Sequence, residues 1–337
     1  MLYKLQSSTN NFKPSTVEDC AATLLQGGLA ALPTETVYGL ASLALNELAV
    51  SKIFKLKGRP QTNPLIVHVI DSDMASNLAF VTNHALSIFE EFWPGPLTVI
   101  LKKRECVPLN VCAQLDSVAV RSPSHPKFRE VLSLVNAPLA APSANKSNKV
   151  SPTAAEHVFN NFGCHSPPIL DGGPCSYGLE STVLDLSGTT PAILRPGPIN
   201  IKQIENCLNI PVCNKYGAKS DANTAQISPG QFHKHYSPET PLILMENFEE
   251  LRSAKLNSKT DLILCMNSTD TDYFRNLNFS TLKLSNSGNP NEVAFNLYAL
   301  LLTADSFKKN RIITYKIQQI SEISSAINDR LTRSASK

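Results

Sequence analysis

Lys57-Gly58-Arg59-Pro60-Gln61-Thr62-Asn63-Pro64-Leu65-Ile66-Val67-His68-Val69-Ile70 sets the pattern of the first half of the chain. It leaves a helix, puts two cations on a turn restrained by prolines, and runs into an apolar strand. The helix fits Asn46 to Leu56, with Asn46 as cap and Leu48, Ile53, Phe54 and Leu56 as its apolar members. Lys57 and Arg59 emerge at its C-terminal end, where solvation and the helix dipole already account for them. Pro60 and Asn63-Pro64 change the balance, because cations on a stiffened turn lose less entropy when they hold phosphate. Arg59 can grip two oxygens at once, with Lys57 as a point charge. In the strand Leu65–Ile70, Ile66, His68 and Ile70 share one face. Local sequence leaves open whether His68 is a packed residue or meets a ligand.

The same motif, a short apolar run beside a polar cluster, recurs along the first 200 residues. Ser143-Ala144-Asn145 follows the run Pro138 to Ala141, with Ser147 and Ser151 on its polar rim. It either caps the helix predicted over Thr153–Phe162 or faces an anion, and free amides at a helix start allow both. Arg121 ends the strand Val118–Arg121, with Ser117 at the other end, and needs a partner if buried. Glu180-Ser181-Thr182 opens the strand Ser181–Leu186. Arg195-Pro196-Gly197 closes the strand Ala192–Leu194. Pro33-Thr34-Glu35-Thr36-Val37-Tyr38-Gly39-Leu40 reads as a polar loop in which Thr34 and Thr36 either bind a small ligand or only shape a turn. Lys57, Arg59, Arg121 and Arg195 are thus four candidate cations for one cavity.

The remaining elements of this half are a helix entered through a capping box at Ser15 and Glu18, a strand Leu29–Leu32, a strand Leu97–Leu101 and a helix Lys127–Val135. They lack a strict βαβ rhythm, so an α/β domain with a mixed sheet is expected. From about Asn214 to Ser237, Gly, Ser, Asn, Gln and Pro accumulate and periodicity fades, as in a linker. Beyond it, strands at Leu242–Met245, Leu262–Met266, Thr281–Leu284 and Ile312–Ile317 alternate with helices that include Glu292–Leu302 and Ser321–Leu331. That alternation predicts a small parallel α/β domain. The expected boundaries are 1–213, 214–238 and 239–337.

Composition narrows the function. The chain has 337 residues, enough for two domains, and 42% are hydrophobic, enough for real cores. A net charge of +3 suits a local anion pocket better than a broad nucleic-acid face. The N-terminus lacks the apolar centre of a signal peptide, and no apolar run is long enough for a membrane span, so a cytoplasmic protein is expected. Eight cysteines without a C-x-x-C pair predict neither a disulfide framework nor a metal site. There is no Walker-type phosphate loop and no Ser-His-Asp set. Attack of a substrate group on phosphorus, aided by positioning and positive charge, is the economical chemistry.

These motifs, together with Trp93-Pro94-Gly95-Pro96-Leu97-Thr98, Ser151-Pro152-Thr153 and His235-Tyr236-Ser237-Pro238, resemble the long, two-domain form of the threonylcarbamoyl-AMP synthase family. The resemblance implies a twisted mixed-sheet YrdC-like domain around a positive cavity, followed by a small Rossmann-like domain. It implies ATP, L-threonine and bicarbonate as substrates, Mg²⁺ carried on the ATP phosphates, and an adenylate handed to a transferase that modifies adenosine 37 of tRNA. Lys57, Arg59 and Arg195 would be the catalytic cations. Asn63, Ser117, Ser143, Asn145 and Ser151 would join them on the ATP side, and Tyr236 would belong to a linker that covers the cavity. Thr34 or Thr36, His68, Arg121 and Ser181 would hold threonine, Arg121 by its carboxylate. Two positions depart from the family pattern: Asn148 stands where glycine is common, and Gln231 where methionine is usual after Pro229-Gly230. Asparagine tolerates left-handed backbone angles, so the loop at Asn148 is expected to keep its shape. Two other readings compete, a nucleotide- or RNA-binding module without chemistry, and a related carbamoyl-transfer enzyme.

Overall fold

A computed structural model describes residues 12–216, 235–319 and 321–336. The first half contains α1 (Val17–Leu25), β1 (Ala30–Leu32), β2 (Gly39–Leu43), α2 (Glu47–Lys57), β3 (Ile66–His68), α3 (Ser72–Ser76), α4 (Asn83–Phe92), β4 (Leu97–Lys102), β5 (Ser117–Arg121), α5 (Pro126–Val135), β6 (Leu139–Ala140), α6 (Ala155–Phe162), β7 (Thr182–Asp185), β8 (Ala192–Arg195), α7 (Ile201–Leu208) and β9 (Cys213–Asn214). Its strands form one nine-stranded sheet in the order β1-β2-β6-β3-β5-β4-β7-β8-β9. The sheet is mixed: β3–β5, β4–β7 and β8–β9 are parallel, and the other pairs are antiparallel.

Strand alternation divides the central sheet into two faces. Val67, Val99, Leu101, Val118, Val120 and Leu184 turn to the main core, which also buries Ile53 and Phe54 of α2 and Ile88 and Phe89 of α4. The intervening residues Ile66, Ile100, Ala119, Val183, Ala192 and Leu194 form a separate small apolar cluster on the other face. A third cluster packs α1 and α5 against β1, β2 and β6.

Some elements differ from the sequence reading. The capping box of α1 is Thr16 with Asp19, since Thr16 Oγ1 accepts the Asp19 N–H and Asp19 Oδ2 accepts the Thr16 N–H. Ser15 instead donates its N–H to the Ile169 carbonyl, in a bridge beside Leu170. Thr153 does not open α6, because its N–H donates to His157 Nδ1 at 3.3 Å and the helix starts two residues later. Strand β2 and helices α3, α4 and α7 were not foreseen. Asn214, read as the start of the linker, pairs in β9. Asn148 takes the left-handed conformation expected of it, with φ 66°.

The second half contains β10 (Leu242–Met245), α8 (Phe248–Ser253), β11 (Asp261–Cys265), α9 (Ser268–Asn276), β12 (Ser280–Lys283), α10 (Pro290–Ser306), β13 (Arg311–Tyr315) and α11 (Glu322–Ala335). Its four strands are all parallel, in the order β10-β13-β11-β12. Its core takes in Val37, Val150, Leu179 and Tyr236 from outside the domain, so the two halves share an apolar contact. Gly178 lies in that contact with φ 73°, and a Cβ there would come within 2.6 Å of the Phe295 carbonyl oxygen on α10. Among the described residues, no helix is long and apolar enough to cross a membrane. The segment Ser228-Pro229-Gly230-Gln231 and most of the expected linker lie outside the described residues.

Candidate active site

Ile66, from the small apolar cluster on the second face of the sheet, lines a cavity with about 550 Å³ of space, part of it open to solvent. Topology brings distant residues to it. His68 and Arg121 are register partners at the ends of the parallel strands β3 and β5. Leu97 at the start of β4 pairs with Thr182, which places Ser181 beside that mouth. Ser143 bridges to Gly39 at the start of β2. Strict alternation from Ala192 and Leu194 would turn Arg195 away. A register shift between β7 and β8 at Val183/Leu184 re-aims it, and its side chain lines the cavity.

Of the residues singled out by sequence, Thr34, Thr36, Arg59, His68, Arg121, Ser143, Ser181, Arg195 and Tyr236 all line the cavity. A second layer stands behind them. The Lys57 ammonium is buried and donates to the carbonyls of Ser143 and Asn145, each at 2.5 Å. It therefore holds the 143–145 loop rather than reaching into the cavity. Burial, with Arg59 nearby, pushes its pKa well below the usual lysine value. Asn63 is also buried and shapes Arg59: Arg59 Nε donates to its carbonyl at 3.1 Å, and Nη2 donates to Asn63 Oδ1 and the Pro64 carbonyl, both at 2.7 Å. Three N–H groups are thus fixed, and the two on Nη1 remain for a ligand. Burial lowers the Arg59 pKa to about 9. The Asn145 amide donates to the carbonyls of Lys146 and Lys149 and leaves Oδ1 buried without a partner.

One expected residue is not brought to the site. Ser117 pairs with Lys102 at the opposite end of β5 from Arg121. Four residue steps along the strand separate them, roughly 13 Å at 3.3 Å per residue. Its position immediately before the apolar core of β5 made it look like a rim residue, but strand direction carries it away.

Thr34 and Thr36 differ in role. Thr34 Oγ1 donates to the Val37 carbonyl at 2.6 Å and accepts the N–H of Thr36 and Val37, so it closes the turn. Thr36 Oγ1 accepts from Arg121 Nη1 at 2.9 Å. Arg121 also donates through Nε to the Gly95 carbonyl at 3.2 Å, and its Nη2 lies 2.8 Å from Glu35 Oε1. His68 sits beside this pair with Nδ1 unpartnered, and burial, then Arg121, pushes its pKa down to about 3. Ser181 Oγ is within 2.7 Å of Thr98 Oγ1 and accepts from Arg195 Nη2 at 3.0 Å, while the Ser181 carbonyl accepts from Arg195 Nε at 3.0 Å.

Sequence reasoning assigned no role to the two carboxylates of the site. Glu35 pairs with Arg121. Glu180 lines the cavity and accepts from Ser151 Oγ at 2.6 Å, which accounts for Ser151 as a supporting residue. Each is a lone acid in an otherwise small or apolar stretch at a strand mouth, and that is the signal that was available. The tail of the connecting segment covers this side. His235 and Tyr236 line the cavity, and the Ser237 N–H donates to the Asn148 carbonyl at 2.9 Å. Tyr236 has φ 61°, a conformation costly for an aromatic residue. It is held by stacking on Tyr298, ring centroids 5.6 Å apart, and by the Ser334 hydroxyl, which donates to its carbonyl at 2.8 Å.

A family profile described as "Telomere recombination" (Sua5_yciO_yrdC) matches residues 22–197. A second, described as "Threonylcarbamoyl-AMP synthase, C-terminal domain", matches residues 199–336. The chain is 42% identical to the threonylcarbamoyl-AMP synthase of Pyrococcus abyssi, over 67% of this chain and 66% of that protein. It is 43% identical to that of Bacillus subtilis, over 69% and 68%. The matched region thus spans about two thirds of these relatives' length. The solved structure of P. abyssi Sua5 complexed with L-threonine aligns with a TM-score of 0.83 at 32% identity, covering 95% of this chain and 94% of that one.

Proposed function

Because the chain belongs to the two-domain threonylcarbamoyl-AMP synthase family, we propose that it makes threonylcarbamoyl-AMP and pyrophosphate from ATP, L-threonine and bicarbonate. The threonine amine combines with bicarbonate, losing water, to give a carbamate. A carbamate oxygen attacks the α-phosphorus of ATP, the bond between the α-phosphorus and the bridging oxygen breaks, and pyrophosphate leaves with that electron pair. The observation that carries this reading is the meeting of Arg59, Arg195, Ser181, His68 and Arg121, from five separate segments, in one cavity.

In this reading Arg59 and Arg195 neutralise charge as pyrophosphate departs, which is electrostatic catalysis by groups fixed in advance. Lys57 and Asn63 set the wall: one holds the Ser143–Asn145 loop, the other orients Arg59. Arg121, beside Thr36 and His68, takes the threonine carboxylate, and Ser181 lies between the two ligands. Mg²⁺ arrives as part of the nucleotide substrate. The two carboxylates at the cavity, Glu35 and Glu180, are each paired with an arginine, so the ion is held by phosphate oxygens rather than by a protein cage. The segment that follows β9 joins the catalytic domain to the C-terminal domain 239–337. Its Tyr236 end acts as a lid that keeps water from a labile mixed anhydride. The product passes to a tRNA threonylcarbamoyl transferase in the cytoplasm.

The test is pyrophosphate release by the purified chain with all three substrates, and with threonine or bicarbonate left out. Release that requires all three supports the reading. Release indifferent to threonine, or none at all, rejects it and favours a binding module.

A further inference from the structure

Arg330, on the last helix, has no exposed surface and is the largest fully buried side chain among the described residues. Burying a guanidinium costs several kcal/mol unless its partners are well placed. Asp329 beside it on the same helix takes Nη1 at 2.8 Å. Its other partners lie outside the C-terminal domain: Nε donates to Glu180 Oε2 at 3.0 Å, and Nη2 donates to the Pro196 carbonyl at 3.0 Å. Its guanidinium carbon stands 5.5 Å from the centre of the Tyr236 ring. Residues 180 and 196 immediately flank Ser181 and Arg195, which bond each other twice. Arg330 therefore clamps both sides of the pair that faces the ligand. Tyr298 of α10 adds a hydroxyl to Glu180 Oε2 at 2.9 Å.

We propose that Arg330 is a positioning residue for nucleotide binding, through which the C-terminal domain keeps the Arg195 guanidinium available to the triphosphate. The inference rests on the synthase reading above. Its physical basis is competition for a buried charge. The Glu180 carboxylate is satisfied by Arg330, Tyr298 and Ser151, and it also attracts the nearby Arg195. Without Arg330, the carboxylate draws Arg195 toward itself and away from phosphate, and the 180 and 196 strand ends lose their common anchor. Arg330 touches no reacting atom, so the effect falls first on nucleotide affinity.

The test compares the full-length wild type with Arg330→Gln, Arg330→Lys and Tyr298→Phe. Two readouts are used: KM for ATP and kcat in the three-substrate assay, and Kd for a non-hydrolysable ATP analogue by calorimetry, per folded molecule. The expected order of KM and Kd is wild type, then Arg330→Lys, which keeps the charge but loses the two-armed grip, then Arg330→Gln at tenfold or more. Tyr298→Phe, which removes one neutral donor, gives a rise of two- to fivefold. A lower melting temperature with KM and Kd within twofold of wild type would make Arg330 merely structural and overturn the proposal. If Arg330→Gln does not fold, Arg330→Lys and Tyr298→Phe decide by the same criterion. A wild type that binds the analogue but forms no adenylate refutes the synthase reading, while the Kd series still judges Arg330.

Discussion

The Arg121 guanidinium, which lines the cavity, and the Glu35 carboxylate lie 2.8 Å apart, with 4% and 6% of their side chains exposed. Glu35 Oε2 also accepts the Ser124 N–H at 3.2 Å, so the acid ties the loop before β2 to the loop after β5. Removing one partner of a buried pair leaves an unpaired charge and costs roughly 3–5 kcal/mol. Glu35→Ala is expected to lose that much in urea unfolding. Adding Arg121→Leu should cost less than the two single losses summed. Strictly additive losses would mean the two groups act independently.

Arg59 is fixed by three hydrogen bonds and keeps the two N–H groups of Nη1 for a ligand. A charged hydrogen bond is worth about 1.5–3 kcal/mol, or roughly ten- to a hundredfold in rate. Arg59→Ala and Arg195→Ala should each slow threonine-dependent pyrophosphate release by about a hundredfold, with the circular dichroism spectrum unchanged. Wild-type rates in both variants would refute their assigned roles.

Burial pushes His68 and His235 down to about 3 and His157 down to about 4. The folded protein keeps these rings neutral, while in the unfolded chain they take up protons below about 6.5. The unfolded state therefore binds more protons as pH falls, and stability drops with it. The contribution is complete above pH 6.5 and is lost on descent toward pH 3, at about 1.4 kcal/mol per pH unit for each ring. Urea unfolding should give a lower stability at pH 5 than at pH 7. His68→Phe, which keeps a ring against Phe128, should reduce that difference by on the order of 2 kcal/mol. Equal stability of the wild type at the two pH values would contradict the neutral buried rings.

Gly178 combines a left-handed backbone with direct contact against α10. Gly178→Ala adds a methyl group where backbone atoms stand at 2.6–2.7 Å, and either strains the loop or lifts the C-terminal domain. Overpacking of this kind costs about 1–3 kcal/mol. The melting temperature should fall by several degrees, and an unchanged melting curve would show that the contact yields freely.

Much of this was readable from the sequence because it is local. The proline-restrained turn before β3, the apolar cores of β4, β5, β7 and β8, and the strand–helix alternation after residue 242 each follow from a few neighbouring residues. Strand direction was not readable, which is why Ser117 was assigned to a site that β5 carries it away from. The bulge that re-aims Arg195 depends on pairing between β7 and β8, and no local pattern announces it. Lys57 looked like a free cation because its partners, the Ser143 and Asn145 carbonyls, are 86 and 88 residues away. Arg330 reads as an ordinary helix cation until α11 is docked, 150 residues from Glu180.

One electropositive cavity joining a threonine carbamate to an adenylyl group must release a recognisable product. Mass spectrometry of the reaction mixture after incubation with ATP, L-threonine and bicarbonate looks for it. The expected ion lies at the mass of threonylcarbamoyl-adenylate, is shifted by one mass unit with ¹³C-bicarbonate, and is missing when Arg195→Ala replaces the wild type. ATP consumption without that ion, or the same ion yield from Arg195→Ala, would rule out adenylyl transfer in this cavity.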